Sequence, residues 1–568
     1  MHFPILQAPA LCLIIFLTGI LGNTSRAQAD EDKQTERPKP RITIAPEITF
    51  ITEPVAENGY VDYLEAQKIR ARRGITPENN AAIFFWRAVG PSEYKELYEW
   101  LYSSPHFKAI GARQLPGQGN YFLSLGDYLD GPARDKVPIA EGESQEVAIN
   151  RILKQEEQAL TRPWSKKDFP ILHQWLESNK EPLRLVALGA ERPRYYWPLD
   201  SVADKHDEDA VVDLVDAYPG LYDDYLTWNI NAIARALVMR SMLQLHEGDF
   251  AKAWRDLLTC HRLGRLVTQG PTMRHFYFGI YSQSLAFEAE AAMAHHGFVT
   301  RERAAKIQRA RQDLPTAPSF VDKVNFAERL ELLDIASRAP RKNISFWRIL
   351  EGQHAQTWSM NVSGKMILKG TDWDEVLRRC NSWHDDIVNT AKQVSRGKGV
   401  KAQAKLLDQY VKIVMSAKRP LRTQTERLKA FAKLRSFLTE RASSLLIARV
   451  ASPHVLIHKE AEMRLDIRER LNRIVFALED YRRDHRKYPE KLAQLQQKHL
   501  EHLPRDLHGN GEFRYRPNDV GYLLYSVGPD GEDGYQAAPA NRIELPFGFD
   551  TVSEFKDEII IRTPQKKK

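Results

Sequence analysis

From Leu226 to Gly297 the apolar positions recur three and four residues apart. Ile230, Ile233, Ala234, Leu237, Ser241 and Leu245 fall on one helical face, the Glu247-Gly248-Asp249 turn follows, and Phe250, Trp254, Leu257, Leu258 and His261 make a second face. This pattern predicts an antiparallel helical hairpin, with His261 as a buried, hydrogen-bonded histidine on its apolar stripe. Gln269-Gly270-Pro271-Thr272 breaks the chain, and a third helix carries Phe276, Ile280, Phe287 and Ala291 to a stop at Gly297. Upstream, Thr76-Pro77-Glu78 reads as an N-cap, a first-turn proline and an early acid. They open a helix through NNAAIFFWRAV that ends at Gly90-Pro91. Further helices are predicted over 92–103, 144–160 and 165–178, while 111–138 is glycine-rich and without a clear period. From Arg301 to about Ser444 the helical period continues with more polar faces. A charged helix over Glu462 to Arg482 precedes two short strand patterns, Glu512 to Arg516 and Gly521 to Ser526.

The segment LQLHEGDFAKAWRDLLTCHRL resembles the inner part of a tetratricopeptide-type repeat. The likeness covers about one hairpin, and no 34-residue recurrence accompanies it. The fold class expected is therefore mainly α: an α-helical hairpin array, tetratricopeptide-like in part, followed by a small α+β domain with a short antiparallel sheet. The boundaries expected are a leader over 1–29, an exposed tether over 30–60, a mainly helical region over 61–220, the hairpin region over 221–300, a polar helical region over 301–455 and the α+β domain over 456–568. The tether rests on the charged, proline-bearing stretch from Asp30 to Pro46, which shows little periodicity.

The C-terminal landmarks, in order, are ALEDYRRDHRKYPEKL, Asp506-Leu507-His508-Gly509-Asn510, the strand and loop YLLYSVGPDGEDG, and Asp557-Glu558-Ile559-Ile560-Ile561-Arg562. This order resembles the soluble half of the major pseudopilin of type II secretion systems, over Ala461 to Arg562. The resemblance implies a Ca²⁺ site in the loop after the second strand. Carried over position by position, it would use the carbonyls of Leu524 and Ser526 and the carboxylates of Asp530 and Asp533, with Asp550 or Asp557 closing the shell. Hard oxygen donors on a Gly/Asp loop suit that ion, and an ordinary glycine-rich loop with solvated acids is the alternative reading. A pseudopilin also begins with a basic leader and a polymerising apolar helix directly before this module. Here the only such apolar segment lies more than 400 residues upstream, so the fold and the ion site are carried over and polymerisation is not. As a whole, the chain looks like one of the large exported bacterial proteins that join a helical body to this tail.

That upstream segment, Ala10 to Gly22, is followed by Ala27-Gln28-Ala29 and reads as a secretory signal cleaved after Ala29, with an uncleaved membrane anchor as the minor alternative. The location expected is secreted or periplasmic. Beyond Ala29 only Cys260 and Cys380 remain, too few for a disulfide framework; they predict buried free thiols, with one bridge between them as the alternative.

The formal charge of the 568-residue chain is +8. Between Lys392 and Arg435 there are thirteen Lys or Arg against Asp408 and Glu426, a local +11, so the basic balance describes one segment. It predicts a solvated helical face able to meet an anionic surface. No zinc spacing, aromatic RNA-binding motif or helix-turn-helix accompanies it, which argues against a nucleic-acid partner. His384-Asp385-Asp386 reads as a solvated helix start, and His295-His296 as a cationic cap at a helix C-terminus. Tyr195, Tyr196 and Trp197 read as anchors of a proline-bearing loop rather than as a carbohydrate groove.

The sequence carries no H-E-x-x-H, G-x-S-x-G, Walker A or G-x-G-x-x-G motif. The function expected is that of a non-enzymatic interaction or scaffold protein with a Ca²⁺-binding tail, its partner a protein or an envelope polymer. The alternatives are a cell-envelope hydrolase with carboxylates scattered among helices, and an accessory factor of a type II secretion-like system.

Overall fold

The hairpin read from the apolar stripes is the centre of the molecule, with the boundaries its punctuation requires. In the computed structural model, residues 42–91, 104–198, 224–341, 370–394, 399–418, 425–426, 429, 433–451, 456–496, 498–509, 511–518, 521–528 and 559–562 are described. They belong to one compact unit, Pro40–Lys568. In chain order the helices are α1 (Pro46–Thr49), α2 (Tyr63–Arg72), α3 (Ala82–Val89), α4 (Ser104–Ala109), α5 (Leu125–Asp130), α6 (Gln145–Thr161), α7 (Pro170–Ser178), α8 (Lys180–Ala190) and α9 (Asp224–His246). They continue with α10 (Phe250–Val267), α11 (Met273–His295), α12 (Arg301–Gln312), α13 (Phe320–Lys323), α14 (Arg329–Arg338), α15 (Trp373–Val394), α16 (Gly399–Lys418), α17 (Leu434–Val450) and α18 (Ile457–His485). A π-helical turn, Val324–Glu328, joins α13 to α14. Strands β1 (Arg514–Pro517), β2 (Tyr522–Ser526) and β3 (Ile559–Arg562) form an antiparallel sheet with β2 in the middle.

Gly248 takes φ +82° between α9 and α10, and Asp249 caps α10 by accepting from the Lys252 amide at 3.0 Å. Thr272 does the same for α11 through the His275 amide. The α10–α11 contact depends on the absence of side chains at one point: a Cβ on Gly264 would lie 2.5 Å from the Gly279 carbonyl oxygen, and a Cβ on Gly279 2.5 Å from that of Gly264. The two backbones therefore meet directly.

Helix α11 is buried over most of its surface, with Glu288 left exposed, because two cores flank it. Tyr281, Leu285, Ala289 and Met293 face the first, which also takes Phe85 and Trp86 of α3, Trp175 of α7, the Tyr195–Trp197 loop, the α9–α10 interior and part of α18. Met273, Phe276, Ile280 and Phe287 face the second, with α2, α14, α15 and α17. The aromatic loop is core, as read: Trp197 lies 4.6 Å from Trp86 between ring centroids. Both thiols are free and buried, and burial pushes Cys380 up to about 12.

Several expectations are corrected. The tether over 30–60 is folded from Ile42 onward: Ile42, Ile48 and Tyr60 are buried in the second core. Its backbone is held there by distant side chains, with the Thr43 amide donating to Asp374 Oδ1 at 2.8 Å and Asn381 Nδ2 to the Ile48 carbonyl at 2.8 Å. The helix expected from Thr76 starts at Ala82, because Thr76 and Asn79 close a turn of their own and Asn80 is used to bind the aromatic loop. The helix expected from Ser165 starts at Pro170, after a Ser165–Asp168 turn. The helix expected over 92–103 lies outside the described residues.

Candidate functional site

The tail is built on α18. From Leu471 to Leu478 this helix is buried all round, since it is packed between α11 on one side and the sheet on the other. The sheet is tied to α11 through Tyr522, whose hydroxyl lies 2.9 Å from His295 Nε2. Burial drives His295 down to about 4, so it is a neutral partner of Tyr522 and not the cationic helix cap expected. Tyr488 donates to Glu479 Oε1 at 2.7 Å, and Tyr515 to the Pro489 carbonyl at 2.8 Å.

At the end of β2 the chain turns past Asp506. The Asp506 Oδ1 accepts from Ser526 Oγ at 2.7 Å and from the His508 amide at 3.0 Å. Its Oδ2 is buried and makes no hydrogen bond of normal geometry among the described residues. His508 Nε2 lies 3.3 Å from Glu460 Oε1 on the first turn of α18. Burial raises the Asp506 carboxyl above the usual carboxylate range, against the opposing pull of its hydrogen bonds and of His508. The His508 and Val527 amides and Ser526 offset part of the cost of burying this carboxylate, and a cation would offset more of it.

Of the residues implied by resemblance, Leu524 and Ser526 lie on β2. This strand is paired on both edges, so the Leu524 backbone lies inside the ladder and Ser526 ends it, opposite Ile559. Asp530, Asp533, Asp550 and Asp557 lie outside the described residues. Asp506 was not among the ligands read from the sequence, although it opens the D-x-x-G-N turn; only the fold sets it against Ser526. Among the described residues no group of three or more His, Cys, Asp or Glu is arranged to hold a metal.

The helical body holds a second cluster. Glu328, Glu331 and Asp334 succeed one another at three-residue steps on the π turn and α14, which places them along one side of the helix. Burial raises Glu331 well above the ordinary carboxylate value, helped by Glu328 and Asp334, and burial raises Glu328 as well. Lys323, one turn earlier, donates to the Gly270 carbonyl, and burial lowers it to about 7. Asp334 pairs with Arg338 at 2.9 Å.

His384-Asp385-Asp386 is not a solvated helix start. It lies in the middle of α15, where Asp385 pairs with the buried Arg329 at 2.6 Å. His384 is buried, and neither ring nitrogen has a hydrogen-bond partner among the described residues. Burial, reinforced by Arg329, lowers its pKa from 6.5 to about 3. The unfolded chain takes up this proton as pH falls through 6.5 and the folded chain does not until about 3. The contribution is thus fully present above 6.5 and is lost as the medium is acidified. The expected loss is ~1.4 kcal/mol per pH unit, or ~2 kcal/mol by about pH 5. Urea unfolding across that range should show a shallower pH slope for His384→Leu; equal slopes in both proteins would refute the assignment.

Among the described residues no helix is long and apolar enough to cross a membrane. No family model matches the chain, and no curated protein and no solved structure matches it either.

Proposed function

We propose that this is an exported interaction protein in which an array of helical hairpins, tetratricopeptide-like around α9 and α10, presents the binding surface. In this reading a pseudopilin-like tail, stapled by Ca²⁺, holds the C-terminal end in place. Its partner is a protein or an envelope polymer. The observation that carries the reading is Asp506: its carboxylate is buried at the end of β2, where Oδ1 fixes Ser526, the Val527 amide also bears on the carboxylate, and Oδ2 makes no hydrogen bond of normal geometry among the described residues. A hard cation needs six to eight oxygen donors, and the sequence that follows Gly528 carries the glycines and carboxylates suited to supply them. The residues that would hold it are Asp506, the carbonyl of Ser526 at the end of the ladder, Asp530 and Asp533, with Asp550 or Asp557 completing the shell; the Leu524 carbonyl, inside the ladder, is not used. The ion would supply charge neutralisation and cross-linking, tying the loop to α18 through Asp506, His508 and Glu460.

The test is thermal melting of the chain begun at Asp30 in chelator, in Ca²⁺ and in Mg²⁺. At a hundredfold excess over its dissociation constant Ca²⁺ should add about 2.7 kcal/mol of stability, and Asp506→Asn or Asp530→Ala should abolish the increment. Identical melting in chelator and in Ca²⁺ would remove the staple from the proposal.

A further inference from the structure

Helix α16 has two faces that ask for different surroundings. One is core: Leu406 is buried, and Tyr410 donates to the Ala448 carbonyl of α17 at 2.8 Å. On the other, Leu407, Val411 and Met415 are 41%, 48% and 66% exposed. Their four-residue spacing lines them up along the helix for about 12 Å. Single exposed apolar side chains are ordinary, but three in register on a helix whose other face already packs are not required by the fold. Lys401, Lys405 and Lys412 run along one edge of this stripe and are exposed. Lys412 pairs with Asp408 at 2.7 Å in an exposed, weakly held contact. The flanking chain from Lys392 to Arg435 carries +11.

We propose that α16 seats on the headgroup layer of a membrane rich in anionic phospholipid, with Leu407, Val411 and Met415 entering the acyl boundary and the lysines meeting the lipid phosphates. An apolar stripe bordered by lysines is the pattern of a helix that lies in the interface plane. A soluble polyanion would use the lysines and leave the stripe in water. A second copy would bring another +11 against the first, which like-charge repulsion disfavours. The lipid surface is the occupant that takes both features, and it is independent of the ion site in the tail.

The experiment is co-sedimentation of the chain begun at Asp30 with vesicles of phosphatidylglycerol and phosphatidylethanolamine, against phosphatidylcholine alone. That start keeps the whole unit from Pro40 and removes the apolar Ala10–Gly22 run, which would itself bind lipid. The expected result is binding to the anionic vesicles only, weakened by high salt and by about fivefold for each of Lys401 and Lys405 changed to Gln. Val411→Ser with Met415→Ser should weaken it by at least about tenfold, with circular dichroism and melting unchanged because both positions are exposed. The proposal is overturned if the chain binds neither vesicle or both equally. It is also overturned if the serine variant binds as before while polyphosphate competes, or if that variant converts a dimer to a monomer.

Discussion

Glu290→Ala should lower the free energy of unfolding by ~3–5 kcal/mol, because it strands a guanidinium in a dry interior. Four helices meet at this carboxylate. His261 Nε2 of α10 lies 3.0 Å from Glu290 Oε1, Arg311 of α12 donates to Oε2, and Asn472 Nδ2 of α18 donates to Oε2 at 3.1 Å and to the Phe287 carbonyl at 2.7 Å. His261, Glu290, Arg311 and Asn472 are all buried. The Arg311 guanidinium also lies 4.7 Å from the Phe287 ring centroid, and burial lowers it to about 10. Burial likewise holds His261 well below its ordinary pKa, so the imidazole is neutral and the charge pair is Glu290 with Arg311. Removing one partner costs far more than removing both, so Glu290→Leu combined with Arg311→Met should recover most of the loss. Urea midpoints of the two single variants and the double variant measure this coupling. A loss below about 1 kcal/mol in Glu290→Ala would mean that water already reaches the pair.

Trp383→Ala should cost a similar ~3–5 kcal/mol, for a different reason. The indole fills the second core between three helices: its Nε1 donates to the Ala451 carbonyl just past α17 at 2.8 Å, and its ring stacks on Tyr410 of α16 at 6.0 Å between centroids. Truncation leaves a cavity and an unmet carbonyl. Trp383→Phe keeps most of the buried surface and should lose only ~1 kcal/mol, the value of the hydrogen bond with its partner still buried. Because Tyr410 loses its stacking partner, α16 should become the first site of limited proteolysis in the alanine variant. Equal denaturation midpoints for Trp383→Ala and the parent would contradict the core placement.

The parts of this fold that were legible in the sequence are those whose signals are local. Helices α9, α10 and α11 were readable because Gly248, Asp249 and Thr272 act on their immediate neighbours and the apolar stripes repeat every turn. The strand pattern from Gly521 to Ser526 was readable for the same reason. The burial of His261 and of the Tyr195–Trp197 loop followed from their apolar company. Ile42 to Tyr60 reads as a tether because nothing in its own order repeats: the side chains that tie it to the second core, Asp374 and Asn381, lie more than three hundred positions away. His384 was misread because three polar residues in succession look solvated, yet an interior helix turns each one toward a different neighbour. Arg329 arrives from α14 to pair with Asp385, which leaves His384 facing the core.

The candidate ion site divides in the same way. The D-x-x-G-N turn, the strand and the acidic loop were visible as separate landmarks, and resemblance put them in order. That Asp506 accepts from Ser526 with one oxygen and buries the other arises only once the turn before β1 folds back against the end of β2.

What the sequence determined by itself was the mainly helical class, the central hairpin with its turns, the short strands near the end and the local excess of positive charge, all of which depend on interactions within a few residues. Only the tertiary structure decided which carboxylates and imidazoles lose water, because desolvation is set by what distant segments bring to the same place. It also decided that α16 keeps an apolar stripe in the open beside its lysines, since which face of a helix is left over depends on which neighbours cover the other.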